Sequence, residues 1–444
     1  MRRGLHPARL LPVAFLVAIA ASTILLALPA ARAPQAPPTS LVTALFTATS
    51  AICVTGLTVV EPGHWSHFGQ AVIIGSVHVG GYGITTAATL LALLVARRLG
   101  VRTRMLATTE GRSLDLADVK RVLLRVALIQ VGFEALVAAP LILRWWWGYG
   151  QTFPQALWHG VYYGVAAFNN AGFSLYPDSL QRYPGDPWIT MPITVGVVAG
   201  SLGFPVLMEV GRRLHGGLRR WSVHAQLTLV GSALLLLVGT VALLWFEWTN
   251  SRTLGPLSVP EKLLAAVVNG AMPRSGGFSS VDFAAMTTES LAVTNALMFI
   301  GGGSASTAGG IKVGTFFLLA YVIWSEILGE PDVVVGRRRI ASSAQREALS
   351  VALLSVAFVA VGILLVEALT EGFAFEHIMF DVISAFGTVG LSTGVTAAAP
   401  EPAKLVLTGL MFVGRVGPTV FATALALNTR HRHYRYPQER PVVG

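Results

Sequence analysis

The chain repeats one short unit four times, and no other feature restricts its fold as much. Residues 51–57 read AICVTGL, 168–173 FNNAGF, 273–278 PRSGGF and 386–391 FGTVGL. Each unit places a glycine directly before Phe or Leu: Gly56-Leu57, Gly172-Phe173, Gly277-Phe278 and Gly390-Leu391. These glycines recur about every 105–116 residues. Internal self-similarity means a repeat architecture, so it is settled before single elements are assigned. Around each glycine the order is a short apolar run, a turn-rich stretch and a long apolar segment. That order predicts a short helix, a re-entrant loop and a membrane helix. Glycine supplies the backbone angles and close approach that such a loop needs.

Composition agrees with a membrane setting. The 444 residues are 53% hydrophobic and 12% charged, against about 25% charged in a soluble domain. The net charge of +10 would suit nucleic acid. The Lys and Arg, however, sit in short clusters between apolar segments, the pattern of cytoplasmic loops, so no nucleic-acid partner is expected. The lone Cys53 excludes an intramolecular disulfide and offers no metal spacing; packing in a tight loop is its expected role.

Taken in order, residues 1–98 form the first repeat. The apolar run at 10–28 reads as a retained helix rather than a cleaved secretory signal, because the first unit needs a partner helix. A pore helix at 39–51 and a return segment at 68–96 follow. The second repeat, 119–213, has a span at 122–143 and a pore helix at 151–167. Trp145, Trp146 and Trp147 are expected as an interfacial anchor, and a single return span at 187–210. The third repeat, 223–330, runs from 225–248 through 261–272 to a return segment broken at 301–310. The fourth, 346–428, comprises 348–369, a pore helix from 373 and a last span at 404–427. Residues 429–444 are a basic cytoplasmic tail. The basic clusters (97–121, 212–220, 337–346 and the tail) all fall on one side. The expected fold is thus an all-α integral membrane protein with four helix–pore loop–helix repeats in pseudo-fourfold arrangement. It has eight transmembrane helices plus four re-entrant pore helices, and both termini are cytoplasmic.

Four such units in one chain can close a ring around an axis. Backbone carbonyls can replace an ion's water shell there without burying a full charge. The candidate oxygens are main-chain groups at Val54, Thr55, Asn170, Ala171, Ser275, Gly276, Thr388 and Val389, beside Gly56, Gly172, Gly277 and Gly390. No carboxylate ring is present, which disfavours a Ca2+ site. Each strand has one dependable glycine rather than the repeated glycines of TVGYG, so fewer ordered sites and looser K+/Na+ discrimination are expected.

Two further signals stand out. Gly301, Gly302, Gly303, Ser304, Ala305, Ser306, Thr307, Ala308, Gly309 and Gly310 interrupt two apolar segments, with Lys312 just beyond. Irregular backbone at membrane depth is tolerated only inside protein or beside water, which favours a broken helix over a cytoplasmic linker. Arg415 lies in the middle of an apolar run, MFVGRVGPTV. A buried arginine below a cation path raises the barrier to passage; the competing reading is a snorkelling or helix-pairing arginine. His78 is expected to be a satisfied packing residue, Glu209 and Glu367 solvated or paired, and Arg274 to tie down a pore-helix end with its partner left open.

With these motifs in place, the chain resembles the Trk/Ktr/HKT superfamily of potassium transporters over nearly its whole length. SAICVTGLTVV, FNNAGFSL, RSGGFSS and FGTVGLSTG resemble the four family filters, GGGSASTAGGIKV the intramembrane gating loop, and GRVGP the pore arginine. All six in order make the resemblance specific. Gly56 and only eight expected spans are more similar to the KtrB type than to the longer TrkH type. The resemblance implies K+ uptake at the cell membrane, with Na+ dependence left open. It also implies a homodimer on a cytosolic KtrA-type ring that binds nucleotide, and no nucleotide fingerprint occurs in this chain. Departures are Ser275-Gly276 where Thr-Ala is commoner, and His78 and Tyr82 in place of Gln and Leu.

The rivals are a Na+-preferring member, against which Gly56 argues, and a proton-coupled secondary transporter, against which the scarcity of carboxylates in the apolar spans argues. No paired His and Asp, metal spacing or nucleophile motif supports an enzyme.

Overall fold

The computed structural model describes residues 7–104, 116–216, 221–336 and 338–427. The tail at 429–444, Arg112, Arg219, Arg220 and Arg337 lie outside the described residues. The described chain is mostly helical. The first unit comprises α1 (Pro7–Ala27), α2 (Leu41–Ile52) and α3 (His67–Arg104). The second has α4 (Leu116–Leu143), α5 (Phe153–Phe168), α6 (Pro187–Leu202) and α7 (Phe204–Leu214). The third has α8 (Val223–Glu247), α9 (Val259–Ala271), α10 (Thr288–Ile300) and α11 (Val313–Ile327). A two-residue hairpin, β1 (Val334–Val335) with β2 (Arg338–Arg339), leads into the fourth. That unit has α12 (Ser342–Leu369), α13 (Phe375–Gly387), α14 (Val395–Ala398) and α15 (Glu401–Leu427).

Local chemistry sets where the short helices begin. The Ser40 hydroxyl accepts the Thr43 N–H at the start of α2, and Ser258 with Glu261 forms a reciprocal capping box on α9, satisfying N–H groups that have no intrahelical partner. Proline stands in the first turn of α5, α6 and α9, where its missing N–H is no loss. The C-terminal halves of α2, α5, α9 and α13 are buried almost completely, so all four point their last turns into one core.

The packing order closes a ring. Each short helix packs on the first helix of its own unit: α2 on α1, α5 on α4, α9 on α8 and α13 on α12. Each also packs on the return helix of the preceding unit: α5 on α3, α9 on α6, α13 on α10, and α2 on α15, which joins the last unit to the first.

Among the described residues three helices are long and apolar enough to cross a bilayer alone, within Leu123–Gly148, Val223–Glu247 and Ser342–Leu369. Their outer faces expose Leu128, Leu136, Val230, Leu237, Leu353 and Leu364, as lipid-facing sides do. The single return span expected at 187–210 is corrected: α6 and α7 meet at 104°. Gly203 takes φ +91° at the joint, and Pro205 in the first turn of α7 lacks the N–H needed to continue α6. The tryptophan anchor is corrected too. The helix widens over Arg144–Gly148 and Trp145 is fully buried, packed on Tyr163, His159 and Tyr183. Trp146 and Trp147 are exposed as expected.

Candidate functional site

The four glycine loops follow the last turns of α2, α5, α9 and α13, and their backbone repeats as their sequence does. Each carries positive φ at two fixed places: Val54 and Gly56, Asn170 and Gly172, Ser275 and Gly277, Thr388 and Gly390. Left-handed φ at a non-glycine residue costs about 1–2 kcal/mol, so four such residues mark a backbone shape imposed by its surroundings. The loops touch one another. A Cβ added to Gly56 would lie 2.0 Å from the Ala171 carbonyl oxygen, and one on Gly172 2.6 Å from the Gly277 Cα. One on Gly277 would lie 2.6 Å from the Val389 carbonyl oxygen, and one on Gly390 2.3 Å from that of Thr55. First meets second, second meets third, third meets fourth, and fourth meets first. The side chains of Val54, Thr55, Asn170, Ala171, Ser275, Thr388 and Val389 are all fully buried.

Two hydroxyls hold this ring that the sequence reading passed over. Ser50 Oγ accepts the Gly56 N–H at 3.0 Å, and Ser384 Oγ accepts the Gly390 N–H at 3.2 Å. Each serine stands six residues before its glycine; Ala166 and Ala271 occupy that place in the other two units. The signal was the shared Ser-Ala of SAICVTG and SAFGTVG.

The glycine-rich loop at 301–310 lies buried against this ring, not in a linker. Ser306, Thr307 and Ala308 are at most 2% exposed. On one side it is stitched to the break between α6 and α7: Gly303 N–H donates to Ser201 O at 2.7 Å, and Phe204 N–H to Ala305 O at 3.3 Å. On the other it meets the glycine loops. Gly309 N–H donates to Ser275 Oγ at 2.9 Å, that hydroxyl donates to Thr388 O at 2.7 Å, and Thr307 Oγ1 donates to Asn170 Oδ1 at 3.0 Å. Two cations close the far side. Lys312 Nζ donates to the carbonyls of Ala308 and Gly309, and Arg415 Nη1 to that of Thr307. Arg415 is 3% exposed, and among the described residues its Nε and Nη2 find no hydrogen-bond partner.

Behind the second loop lies a carboxylate that sequence reasoning missed. Glu134, inside α4 and 7% exposed, accepts from Asn169 Nδ2 at 2.6 Å and Gln130 Nε2 at 3.2 Å, and pairs with His78 Nδ1 at 3.0 Å. It is the only acid within the segment 122–143, so it was visible in the sequence. Asp381, wholly buried on α13, is another: it accepts from Ser392, Thr393 and Thr396 and pins the chain after the fourth loop. Arg274 donates to the Ser232 carbonyl and hydroxyl, which ties the third loop to α8. Glu209 accepts from Ser222, and Glu367 is exposed. Among the described residues no group of three His, Cys, Asp or Glu could hold a metal ion.

Comparison with known proteins adds the following. The model of the TrkH family, described as a cation transport protein, matches residues 12–430. The Ktr system potassium uptake protein B of Bacillus subtilis is 35% identical, the match covering 99% of this chain and 97% of that protein. Potassium/sodium uptake protein NtpJ of Enterococcus hirae is 31% identical, with 100% and 98% covered. The crystal structure of the potassium transporter TrkH from Vibrio parahaemolyticus aligns with a TM-score of 0.72 at 17% identity, covering 96% of this chain and 86% of that one.

Proposed function

The chain belongs to the TrkH family of cation transport proteins, and from that premise we propose how it works as a potassium uptake transporter of the cell membrane. It is a transporter and not an enzyme. K+ enters the ring of glycine loops from outside and exchanges water for main-chain oxygens at Val54, Thr55, Asn170, Ala171, Ser275, Gly276, Thr388 and Val389. The loop at 301–310 with Lys312 and Arg415 closes the path on the cytoplasmic side. Eight crossings in four repeats (1–98, 119–213, 223–330 and 346–428) carry this pathway, with both termini inside.

The observation that carries the reading is the closed contact cycle Gly56, Gly172, Gly277, Gly390. Carbonyl oxygens of Ala171, Val389 and Thr55 lie where side chains would have to be, so only backbone fits at the axis. A ring of this kind selects cations by carbonyl dipoles and needs no carboxylate. Because "Ktr system" relatives are named as components of a system, a cytosolic nucleotide-binding KtrA-type ring under a homodimer is part of the proposal, and it would bias loop 301–310 between seated and open arrangements. Sodium is the second reading, favoured by the potassium/sodium uptake relative.

The test is rubidium uptake into proteoliposomes with and without Na+. Saturable uptake that excess Na+ barely inhibits supports a K+ path, and stimulation by Na+ adds Na+ dependence. No uptake by folded protein together with its cytosolic partner would remove the reading.

A further inference from the structure

Ser275 stands in the third glycine loop, and its hydroxyl lies between the ring and the glycine-rich loop. Its oxygen accepts the N–H of Gly309 from the glycine-rich loop at 2.9 Å, while its proton goes to Thr388 O in the fourth glycine loop at 2.7 Å, with Gly387 O at 3.2 Å. Ser275 is fully buried, so no water takes over either bond. Its backbone is held at φ +72°, in the left-handed region that serine seldom adopts.

We propose that Ser275 is a positioning residue that couples seating of loop 301–310 to ion binding at Thr388, so that K+ in the ring and the seated loop oppose one another. This rests on the filter-and-gate reading above. The physical reason is competition for one carbonyl. When Gly309 donates into the serine oxygen, it polarises the O–H and strengthens the bond to Thr388 O. That bond takes up electron density an ion would otherwise use. When the loop leaves, the hydroxyl loses its donor and its hold on Thr388 weakens. Linkage then works in both directions: an ion that binds Thr388 O better with the loop out must also favour the loop being out. Asn170 lies on the same boundary, since its Oδ1 accepts from Thr307 and its Nδ2 donates toward Arg274 O at 3.4 Å, but its amide spans loops two and three and leaves Thr388 alone. The transported ion thus loosens its own gate.

The experiment follows loop exposure directly. Ser304 on the loop is partly exposed and the lone native Cys53 fully buried, so Ser304→Cys in the full-length chain reports loop position through its reaction rate with a water-soluble thiol reagent. The unsubstituted chain serves as blank. K+ replacing choline should speed labelling roughly fivefold or more, the low end of site-to-site coupling. In Ser304→Cys with Ser275→Ala the K+ effect should fall below about twofold, with labelling already fast in choline. Ser275→Gly is the second hydroxyl-free variant, and it relieves the positive φ, so poor folding of the alanine variant leaves the question answerable. Equal K+ acceleration with and without the Ser275 hydroxyl would overturn the coupling, as would its absence in the parent while rubidium uptake proceeds. Absence of both uptake and any K+ effect would instead bring down the transport reading beneath it.

Discussion

Arg415 Nη1 donates to the carbonyl oxygen of Thr307, so a guanidinium on the last helix holds the middle of the glycine-rich loop. Among the described residues its other donors, Nε and Nη2, find no hydrogen-bond partner. Arg415→Ala removes one charge-assisted bond, worth about 1.5–3 kcal/mol, together with the cost of two buried unpaired donors. Rubidium uptake in the absence of any cytosolic partner should rise about tenfold or more, since about 1.4 kcal/mol corresponds to tenfold, while the thermal midpoint changes little. Unchanged uptake would separate Arg415 from the gate.

The glycines of the ring differ sharply from glycines inside the long helices in what replacement would cost. A Cβ on Gly56 would sit 2.0 Å from a backbone oxygen and one on Gly390 2.3 Å, both at positive φ, whereas a Cβ on Gly75 or Gly409 would meet nothing within 4 Å among the described residues. Gly56→Ala and Gly390→Ala should abolish saturable rubidium uptake. Gly75→Ala and Gly409→Ala, in the interiors of α3 and α15, should leave uptake intact and stabilise by about 0.5–1 kcal/mol. Thermal unfolding and uptake measured on all four decide it; loss of uptake in the control pair would undo the argument from space.

What the sequence made legible had no local substitute. A glycine forced to positive φ, a run of ten Gly, Ser, Ala and Thr residues in an apolar segment, and a charge inside a span each announce themselves without partners. The hydroxyls did not. Ser275 matters through Gly309 and Thr388, which lie 34 and 113 residues away, and only tertiary packing joins them. Gly203 and Pro205 were present as a bend signal, but the surrounding residues are so apolar that segment length dominated the reading. Trp145 was misplaced because one widened turn changes which face a side chain takes, and such a turn has no sequence signature of its own.

Ser50 and Ser384 place an unequal demand on the ring, supporting the first and fourth glycines while alanine stands at the corresponding places in the second and third. Ser50→Ala or Ser384→Ala leaves a buried N–H without its acceptor, a cost of about 1–3 kcal/mol that the loop relieves by shifting. The expected result is uptake that persists with its preference for rubidium over Na+ reduced about fivefold or more, 1 kcal/mol being roughly that factor. Ser50→Thr keeps the acceptor and should retain the preference. Competition curves against Na+ give the answer, and equal preference in the alanine and parent proteins would show that these hydroxyls merely fill space.

Gly203 joins the bend in the second unit to the loop of the third. A Cβ there would lie 2.6 Å from Ser304 O, at a φ of +91°, and Phe204 N–H holds Ala305 O beside it. Gly203→Ala must therefore move either the bend or the loop. The bend is packed by α7 against α3 and α8, and the loop is held mainly by single hydrogen bonds, so the loop should yield. Uptake without a cytosolic partner should rise, and Ser304→Cys labelling in choline should already be as fast as labelling of the unaltered Gly203 chain in K+. K+ should add little, because the loop it would displace has already left its seat. Slow, K+-dependent labelling in Gly203→Ala would mean that the loop keeps its place and the bend gives way, and α6–α7 would then be the softer of the two elements.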